Sequence, residues 1–226
     1  LGVYLTNSLE EGERVEQTLP FARWLSEEAK GANTIKRDTP IMCVIGNPPY
    51  SGHSSNKGAW IESLMADYKV SPELKRPAQA KWLSDDYVKF IRFAQHMIDK
   101  NGEGVLGFIT NHSYLDNATF VDMRRSLLRT FDAIYIIDLH GNATKNEESP
   151  DGQPDTNVFD IRQGVAIIIG IRKRHRQNAN GIASVRHVDI WGARATKYER
   201  LWSSNLIDAG LADITPSEIP WNFKPI

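Results

Sequence analysis

Cysteine is almost absent from this sequence, whose 226 residues contain Cys43 alone. A single cysteine cannot form an internal disulfide, which argues against a small secreted domain held together by cross-links. The neighbours of Cys43, Met42 and Val44, are apolar. This setting predicts that Cys43 is buried in a hydrophobic core.

Long apolar runs and a signal-peptide pattern are also missing. Without a segment of about 20 apolar residues, the chain is not expected to cross a membrane, and we expect a cytoplasmic location. The composition, 41% hydrophobic and 24% charged, is typical of a globular domain. Because the sequence begins at Leu1 and runs into an apolar stretch at residues 2–6, we expect a fragment of a longer protein.

Charge of one sign is not in excess either, since the formal net charge is -1. The chain therefore lacks the overall basic field that would by itself indicate nucleic-acid binding. A local basic run occupies residues 172–176. This run could contact phosphates, although a solvated strand end is the alternative interpretation.

Several motifs of enzymatic chemistry do not occur. The six histidines lack metal-ligand spacing, so no metal site is predicted. There is no phosphate-binding Gly-x-x-x-x-Gly-Lys-Ser/Thr loop, and Pro154-Asp155 lacks the acidic and lysine partners of a nuclease site. Any helicase motor or nuclease is therefore expected outside this chain.

Apolar runs alternate with stretches of helical periodicity along the chain. Predicted strands cover residues 2–6, 41–45, 105–109, 133–139, 165–171 and 183–190, and predicted helices cover residues 18–29, 60–65, 85–101, 118–130 and 195–202. This alternation predicts an α/β fold, with a parallel or mixed sheet and helices on both faces.

The predicted domain covers residues 1–204. Within it, residues 41–45 form an apolar run without polar alternation, which is typical of a strand buried on both faces. Residues 205–226 contain Pro216, Pro220 and Pro225 and are predicted to be a tail or linker towards a target-recognition region.

The most informative motif is Asn47-Pro48-Pro49-Tyr50, directly after the predicted strand at residues 41–45. By average residue usage, this tetrapeptide is expected in only about one in a thousand chains of this length. In an α/β sheet, ligands bind at the carboxyl ends of strands, where this motif lies. Position and rarity indicate a functional loop. The alternative is that the prolines only end the strand and Tyr50 packs on the next helix.

The residue types of this motif suit the binding of a planar amino group. Two prolines stiffen the loop and cannot donate hydrogen bonds, so the Asn47 side-chain oxygen and the Pro48 carbonyl remain as acceptors. Two acceptors that hold an amine favour the partial charge that grows on its nitrogen as it attacks. Tyr50 offers a flat face on which a heterocycle can stack.

The motif resembles the Asn/Asp/Ser-Pro-Pro-Tyr/Phe signature of amino-group methyltransferases that use S-adenosylmethionine. Together with residues 5–10, 44–52 and 158–167, it resembles the methyltransferase core of type ISP restriction-modification enzymes. This resemblance implies a partial Rossmann-like class I methyltransferase sheet, built from the later strands of that fold. It also implies adenine methylation of double-stranded DNA with a flipped adenine, in a protein continuous with nuclease, helicase or target-recognition regions.

The resemblance also assigns roles to residues. Asn47 and Pro48 would accept hydrogen bonds from the adenine N6 amine, and Tyr50 would stack on the base. Phe159 is suitably placed to stack on the opposite face, or is instead a core residue at the start of a strand. Lys57 would face DNA from the loop after the motif, or lie in a solvated loop.

The cofactor motifs of these enzymes have no counterpart in the sequence. A glycine-rich turn after the first strand and an acidic residue after the second hold S-adenosylmethionine, whereas residues 102–104 form a turn between a helix and a strand. The main cofactor-binding motif is therefore expected outside this chain. Two alternatives stay open: a catalytically inactive fragment, and a protein glutamine-amide methyltransferase, since those enzymes share the Asn-Pro-Pro-Tyr motif.

Overall fold

A computed structural model describes residues 2–12, 23–50, 52, 54–76, 78–175, 181–216 and 221–225. Within these ranges the strands are β1 Cys43–Gly46, β2 Gly104–Asn111, β3 Ala133–His140, β4 Val165–Arg172, β5 Ser184–Asp189 and β6 Ala212–Ile214. The α-helices are α1 Arg23–Asp38, α2 Ala59–Met65, α3 Asp86–Asn101, α4 Val121–Thr130 and α5 Arg194–Ser203. Short 3-10 turns lie at Ala66–Tyr68, Pro72–Lys75, Lys81–Ser84, His112–Leu115 and Ala118–Phe120.

The six strands form one mixed sheet in the order β1-β2-β4-β3-β5-β6. β1 is parallel to β2 and β3 is parallel to β5, while β4 lies antiparallel between β2 and β3, and β6 is antiparallel to β5. The strands β1, β2, β3 and β5 therefore all end at the same edge of the sheet. The predicted α/β class is confirmed, and this edge is where ligands of such sheets bind.

Helices cover both faces of the sheet. Along β3, Ile134 and Ile136 point to one face, into a core that contains residues of α3 and α4. Ile137 and Leu139 point to the other face, where Leu201 of α5 packs. The period-2 alternation of a strand divides the apolar residues of β3 between two cores.

The prediction for the strand before the motif was wrong in its burial. β1 begins at Cys43 and lies at the end of the sheet, and within the described ranges no strand pairs with its second edge. Cys43 is exposed rather than buried, and Ile45 is 79% exposed. The apolar run suggested cover on both faces, but the described residues cover only one face of β1. Residues 2–6, predicted as a strand, are not in a strand.

The helix boundaries largely follow the sequence signals. α3 begins after Asp85 and ends at Gly102, whose φ of +85° is a left-handed cap that glycine adopts without strain. α4 begins at Val121, three residues later than expected, because a 3-10 turn occupies Ala118–Phe120. α1 extends to Asp38, and its predicted start at Thr18 lies outside the described residues.

The carboxyl-terminal residues pack on the sheet and core. β6 pairs with β5, and Phe223 is fully buried in the core that contains α3 and α4. The Phe223 N–H donates to the Leu115 carbonyl at 2.8 Å. The boundary at residue 204 stays a prediction, while the described residues beyond it contribute to the packing of the domain.

Candidate functional site

The Asn-Pro-Pro-Tyr loop leaves β1 at the edge where the parallel strands end. Asn47 is exposed, Pro48 is buried, and Tyr50 is half-buried against the main core. The Tyr50 hydroxyl donates to the Asn47 side-chain oxygen over 3.4 Å. Burial raises the pKa of Tyr50, so the phenol is protonated at neutral pH and remains a hydrogen-bond donor.

Among the described residues, the acceptors of this loop have few donors. No described residue donates a hydrogen bond to the Pro48 carbonyl oxygen. The contact from Tyr50 to Asn47 is long, and an amide oxygen has a second lone pair. Gly46 sets the strand end close to β2, since a Cβ there would lie 3.3 Å from Phe108. The loop therefore begins from a fixed strand end.

Tyr50 lines a cavity of about 520 Å³. The walls come from the end of β2, the 3-10 turns at Lys81–Ser84 and His112–Leu115, and the loop after β3. Its lining residues are Tyr50, Gly52, Lys81, Trp82, Asp85, Tyr87, Asn111, Ser113, Asn117, Phe120, Asn142, Thr144, Lys145 and Gln163. Aromatic rings together with convergent amide and hydroxyl groups are typical of a pocket for a polar heterocycle. We call this cavity the Tyr50 pocket.

Trp82 is an aromatic wall residue that the sequence reasoning did not single out. It is 52% exposed, although most of the other aromatic side chains of the pocket wall are buried. The Lys81 ammonium lies 5.3 Å from the centre of its ring. No local sequence pattern marks Trp82 as part of the pocket, because packing between distant segments brings it there.

The structure does not bring Phe159 and Lys57 to the Tyr50 pocket. Phe159 lines a neighbouring cavity of about 390 Å³, and Asn142 is the residue shared by the two linings. Lys57 is exposed in the loop before α2. Stacking by Phe159 and DNA contact by Lys57 stay predictions.

The described part of the basic run, residues 172–175, lies far from the pocket. Arg172 pairs with Gly104 at the start of β2, so it is at the opposite edge of the sheet. Its guanidinium pairs with Asp99, and Arg174 pairs with Glu103. Arg176 lies outside the described residues. These ion pairs fit the interpretation of the run as a strand end.

A buried carboxylate, Asp138, lies behind the Tyr50 pocket near the end of β3. His112 approaches Asp138 Oδ1 with Nδ1 at 3.0 Å, and the His140 backbone N–H donates to the same oxygen. The Lys224 ammonium lies 2.7 Å from Oδ2. Burial alone raises the pKa of Asp138, but the His112 hydrogen bond and the nearby positive charges outweigh it and hold the pKa well below its usual range. Asp138 is therefore ionised.

His140 connects β5 to the loop after β3. Its Nε2 lies 2.7 Å from Asp189 Oδ1 and its Nδ1 lies 3.1 Å from Glu147 Oε1. The ring stacks on Trp191 with 3.3 Å between centroids. Burial lowers the pKa of His140, but the hydrogen bonds to Asp189 and Glu147 outweigh burial and raise it. His140 therefore holds the strand end and the loop together.

These side chains are of metal-ligating types. Donor atoms of His112, Asp138 and His140 lie within 4.8 Å of one another, as do those of Asp138, His187 and Asp189. However, their atoms already bind one another, and a cation would have to displace the Lys224 ammonium from Asp138. We assign a hydrogen-bond network. Sequence spacing did not reveal it because His112 follows β2, His140 ends β3 and His187 lies within β5.

Comparison with known families decides what kind of protein carries this site. Residues 7–144, more than half of the chain, match the family described as Eco57I restriction-modification methylase. The chain belongs to this family. The Asn-Pro-Pro-Tyr loop, His112 and Asp138 all lie within the part that matches these methylases. No curated protein matches the chain.

Solved structures extend this likeness over nearly the whole length of the chain. The match to the ATP-dependent type ISP restriction-modification enzyme LlaBIII bound to DNA covers 98% of this chain, with a TM-score of 0.76 and 26% sequence identity. A nuclease-deletion mutant of the type ISP enzyme LlaGI, in complex with a DNA substrate mimic, gives a TM-score of 0.76, 25% identity and 98% coverage. A DrdV–DNA complex gives a TM-score of 0.69 and 26% identity, with 88% of this chain covered. The predicted likeness to type ISP enzymes is confirmed.

The chain is much shorter than the protein chains in those structures. It spans 15% of the LlaBIII chain, 21% of the LlaGI chain and 19% of the DrdV chain. No helix in the described ranges is long and apolar enough to cross a membrane.

Proposed function

We propose that this chain supplies the target-base half of a site-specific DNA methyltransferase that modifies the adenine exocyclic amine, within a restriction-modification enzyme. The observation that carries the proposal is the Tyr50 pocket, which is lined by Tyr50 of the same loop that carries Asn47 and Pro48 at the carboxyl edge of the sheet. Membership of a restriction-modification methylase family and likeness to DNA-bound enzymes support DNA as the substrate.

The amine of the base is the group that the loop would act on. The Asn47 side-chain oxygen and the Pro48 carbonyl would accept its two hydrogens, which fixes the nitrogen and favours charge developing on it. Tyr50 and Trp82 offer aromatic surface for the ring of the base. Because a base inside a duplex cannot reach this pocket, the adenine would have to be flipped out of the helix.

The proposed methyl donor is S-adenosylmethionine, whose sulfonium supplies an electrophilic methyl group. In the described ranges no glycine-rich turn leads from a strand into a helix, since residues 102–104 lead from α3 into β2. We therefore assign no residue of this chain to the cofactor. Its main binding elements are proposed to lie elsewhere in the protein.

The proposed partner is double-stranded DNA, held largely by other regions of the protein. With a net charge of -1, this chain lacks the excess of basic groups that phosphate binding requires. Nuclease, helicase or target-recognition regions in the same polypeptide are the proposed source of those contacts. A cytoplasmic location stays a prediction.

The direct test is methyl transfer from labelled S-adenosylmethionine by the full-length protein, offered duplex DNA or a glutamine-containing protein substrate. We expect label in DNA, on adenine N6 after digestion to nucleosides. Label on cytosine or on a protein amide would contradict the proposed substrate. The absence of any transfer by a cofactor-binding, folded protein would favour an inactive enzyme.

The Asn47→Ala variant tests the role of the motif. It should reduce methyl transfer by at least ~100-fold, in the range seen when one preorganised hydrogen-bonding group is removed. Duplex affinity should stay within about twofold, because charged contacts to phosphates, and not one neutral amide, dominate it. Asn205→Ala, at an exposed asparagine in a turn after α5, is the matched control. An active Asn47→Ala enzyme would exclude the mechanism.

A further inference from the structure

A buried side-chain amide binds one wall of the Tyr50 pocket. Thr144 and Lys145 line the pocket, and both of their backbone N–H groups donate to the side-chain oxygen of Asn142, at 3.2 and 3.1 Å. Asn142 is 7% exposed. The Lys145 N–H also donates to the Asn142 backbone carbonyl at 3.2 Å, so the side-chain oxygen matters most for the Thr144 N–H.

The orientation of that amide fixes the protonation of His112. Because the Asn142 oxygen faces two donors, its nitrogen must face His112 Nε2, which lies 3.1 Å away. An amide N–H only donates, so Nε2 must be an unprotonated acceptor. The ring hydrogen is then on Nδ1, where it donates to Asp138 at 3.0 Å. The contacts together require a neutral His112.

His112 has little freedom to turn away from this arrangement. Its ring packs directly on Gly164, where a Cβ would overlap the imidazole. The His112 backbone N–H donates to the Gly164 carbonyl at 3.0 Å. The position of the ring is therefore fixed, and its protonation state decides which contacts it can make.

We propose that the Asp138–His112 pair is a positioning device that holds Asn142, and through it the Thr144 and Lys145 wall of the pocket, only while His112 is neutral. A proton on Nε2 would set two N–H donors against each other at the 3.1 Å contact. Asn142 could then face His112 only by releasing the two backbone N–H groups. Lower pH therefore loosens this wall.

Charged groups from three elements surround His112. Asp138 and His140 lie on β3, and the two imidazole rings meet edge to face with 6.3 Å between centroids. Glu147 comes from the loop after β3, and Lys224 comes from the carboxyl-terminal segment. Asp138, His140, Glu147 and Lys224 are therefore the titratable or charged groups that face His112.

Nitrogen NMR on the 226-residue chain with labelled histidine observes the device directly. At about pH 8 we expect His112 to carry its hydrogen on Nδ1, with Nε2 bare. Between about pH 8 and pH 5, the range in which histidines take up protons, exchange of the Thr144 amide should accelerate about tenfold beyond the intrinsic pH effect, as for a lost hydrogen bond. The Lys145 amide should accelerate less, because its N–H also donates to the Asn142 backbone carbonyl. A hydrogen on Nε2 at the higher pH, or unchanged protection, overturns the proposal.

The Asn142→Asp variant should reverse this pH dependence. A carboxylate can accept from both backbone N–H groups and from a protonated Nε2, so the turn should be held at low pH and loosened at high pH. Asn146→Asp adds the same charge to the same loop at an exposed position and should keep the wild-type direction. Wild-type behaviour in Asn142→Asp contradicts the device.

The proposal rests on the proposed function in one respect, that the Tyr50 pocket receives the target base. For the full-length protein, KM for duplex DNA should rise about tenfold towards acid in the wild type, with little change in kcat, as the hydrogen-bond loss predicts. In Asn142→Asp, KM should instead rise towards alkali. If the NMR results hold but KM does not follow, the wall is positioned as proposed. The assignment of the pocket to the base is then what fails.

Discussion

At the residue scale, Tyr50 and Trp82 are the aromatic side chains that the proposed function assigns to stacking on a flat ring. Tyr50 belongs to a motif that its sequence context singled out, because rarity and a preceding apolar run made it conspicuous. Trp82 is half-exposed on the pocket wall. No local pattern predicts this position, because the 3-10 turn that carries Trp82 reaches the pocket only through packing between distant segments.

Replacement of Trp82 by alanine is expected to weaken binding of duplex DNA with an unpaired target adenine. The loss of one stacking surface, worth about 1 to 3 kcal/mol for a base, corresponds to a ~5-fold to ~150-fold increase in Kd. Fluorescence anisotropy with a labelled duplex measures it in the full-length protein. Trp202→Ala, which removes an 88% exposed tryptophan on α5, should leave Kd unchanged, and equal effects of both variants would remove Trp82 from the site.

At the scale of elements, the strand ends and the carboxyl-terminal segment meet behind the pocket. Arg124 of α4 is fully buried and donates to the carbonyls of Tyr114, Asn117 and Trp221. One guanidinium therefore joins α4, the turns after β2 and the last described residues. The proline-rich composition of residues 205–226 favoured a linker. It gave no sign of these contacts, because they depend on residues about 100 positions earlier.

The Phe223→Ala variant measures how much this segment contributes to stability. Phe223 is fully buried among core residues, so its truncation should lower the free energy of unfolding by about 3 to 5 kcal/mol. Urea denaturation followed by circular dichroism gives the value for the 226-residue chain. Ile207→Ala, at a 96% exposed position, is the control with a change near zero. A loss below about 1 kcal/mol would mean that the segment is not packed as described.

At the scale of the whole molecule, one ionised group joins three parts of the fold. Asp138 of β3 binds His112 after β2 and Lys224 of the carboxyl-terminal segment. Its pKa is held well below the usual range despite burial. A carboxyl group with a lowered pKa in the folded state stabilises the fold above its unfolded pKa, and the stabilisation is lost as pH falls towards the folded pKa.

The unfolding free energy of the wild type should therefore fall as the pH drops below about 4, the ordinary pKa of an aspartate. Lys224→Met removes one of the positive charges that lower the pKa of Asp138, and should give a shallower loss in acid. Chemical denaturation between neutral pH and about pH 3 compares the two proteins. Asp213→Asn, at an exposed carboxylate, should keep the wild-type slope. A Lys224→Met protein as acid-sensitive as the wild type would contradict this account.

The sequence by itself determined the elements whose signals are local. The apolar runs of β2 to β5, the cap of α3 at Gly102 and the Asn-Pro-Pro-Tyr loop could all be predicted, because strand period, helix capping and proline stiffness act over a few residues. The resemblance to type ISP enzymes also rests on short stretches of the sequence.

Only the tertiary structure decided how those elements face one another. Cys43 is exposed because β1 lies at the end of the sheet, and an apolar run of five residues does not tell an edge strand from a central one. Trp82 and Asn142 reach the Tyr50 pocket, and His112 reaches Asp138, because packing brings together segments that are 26 or more residues apart. Strand order and side-chain contact are properties of the folded chain, so the loop could be read from the sequence but the pocket around it could not.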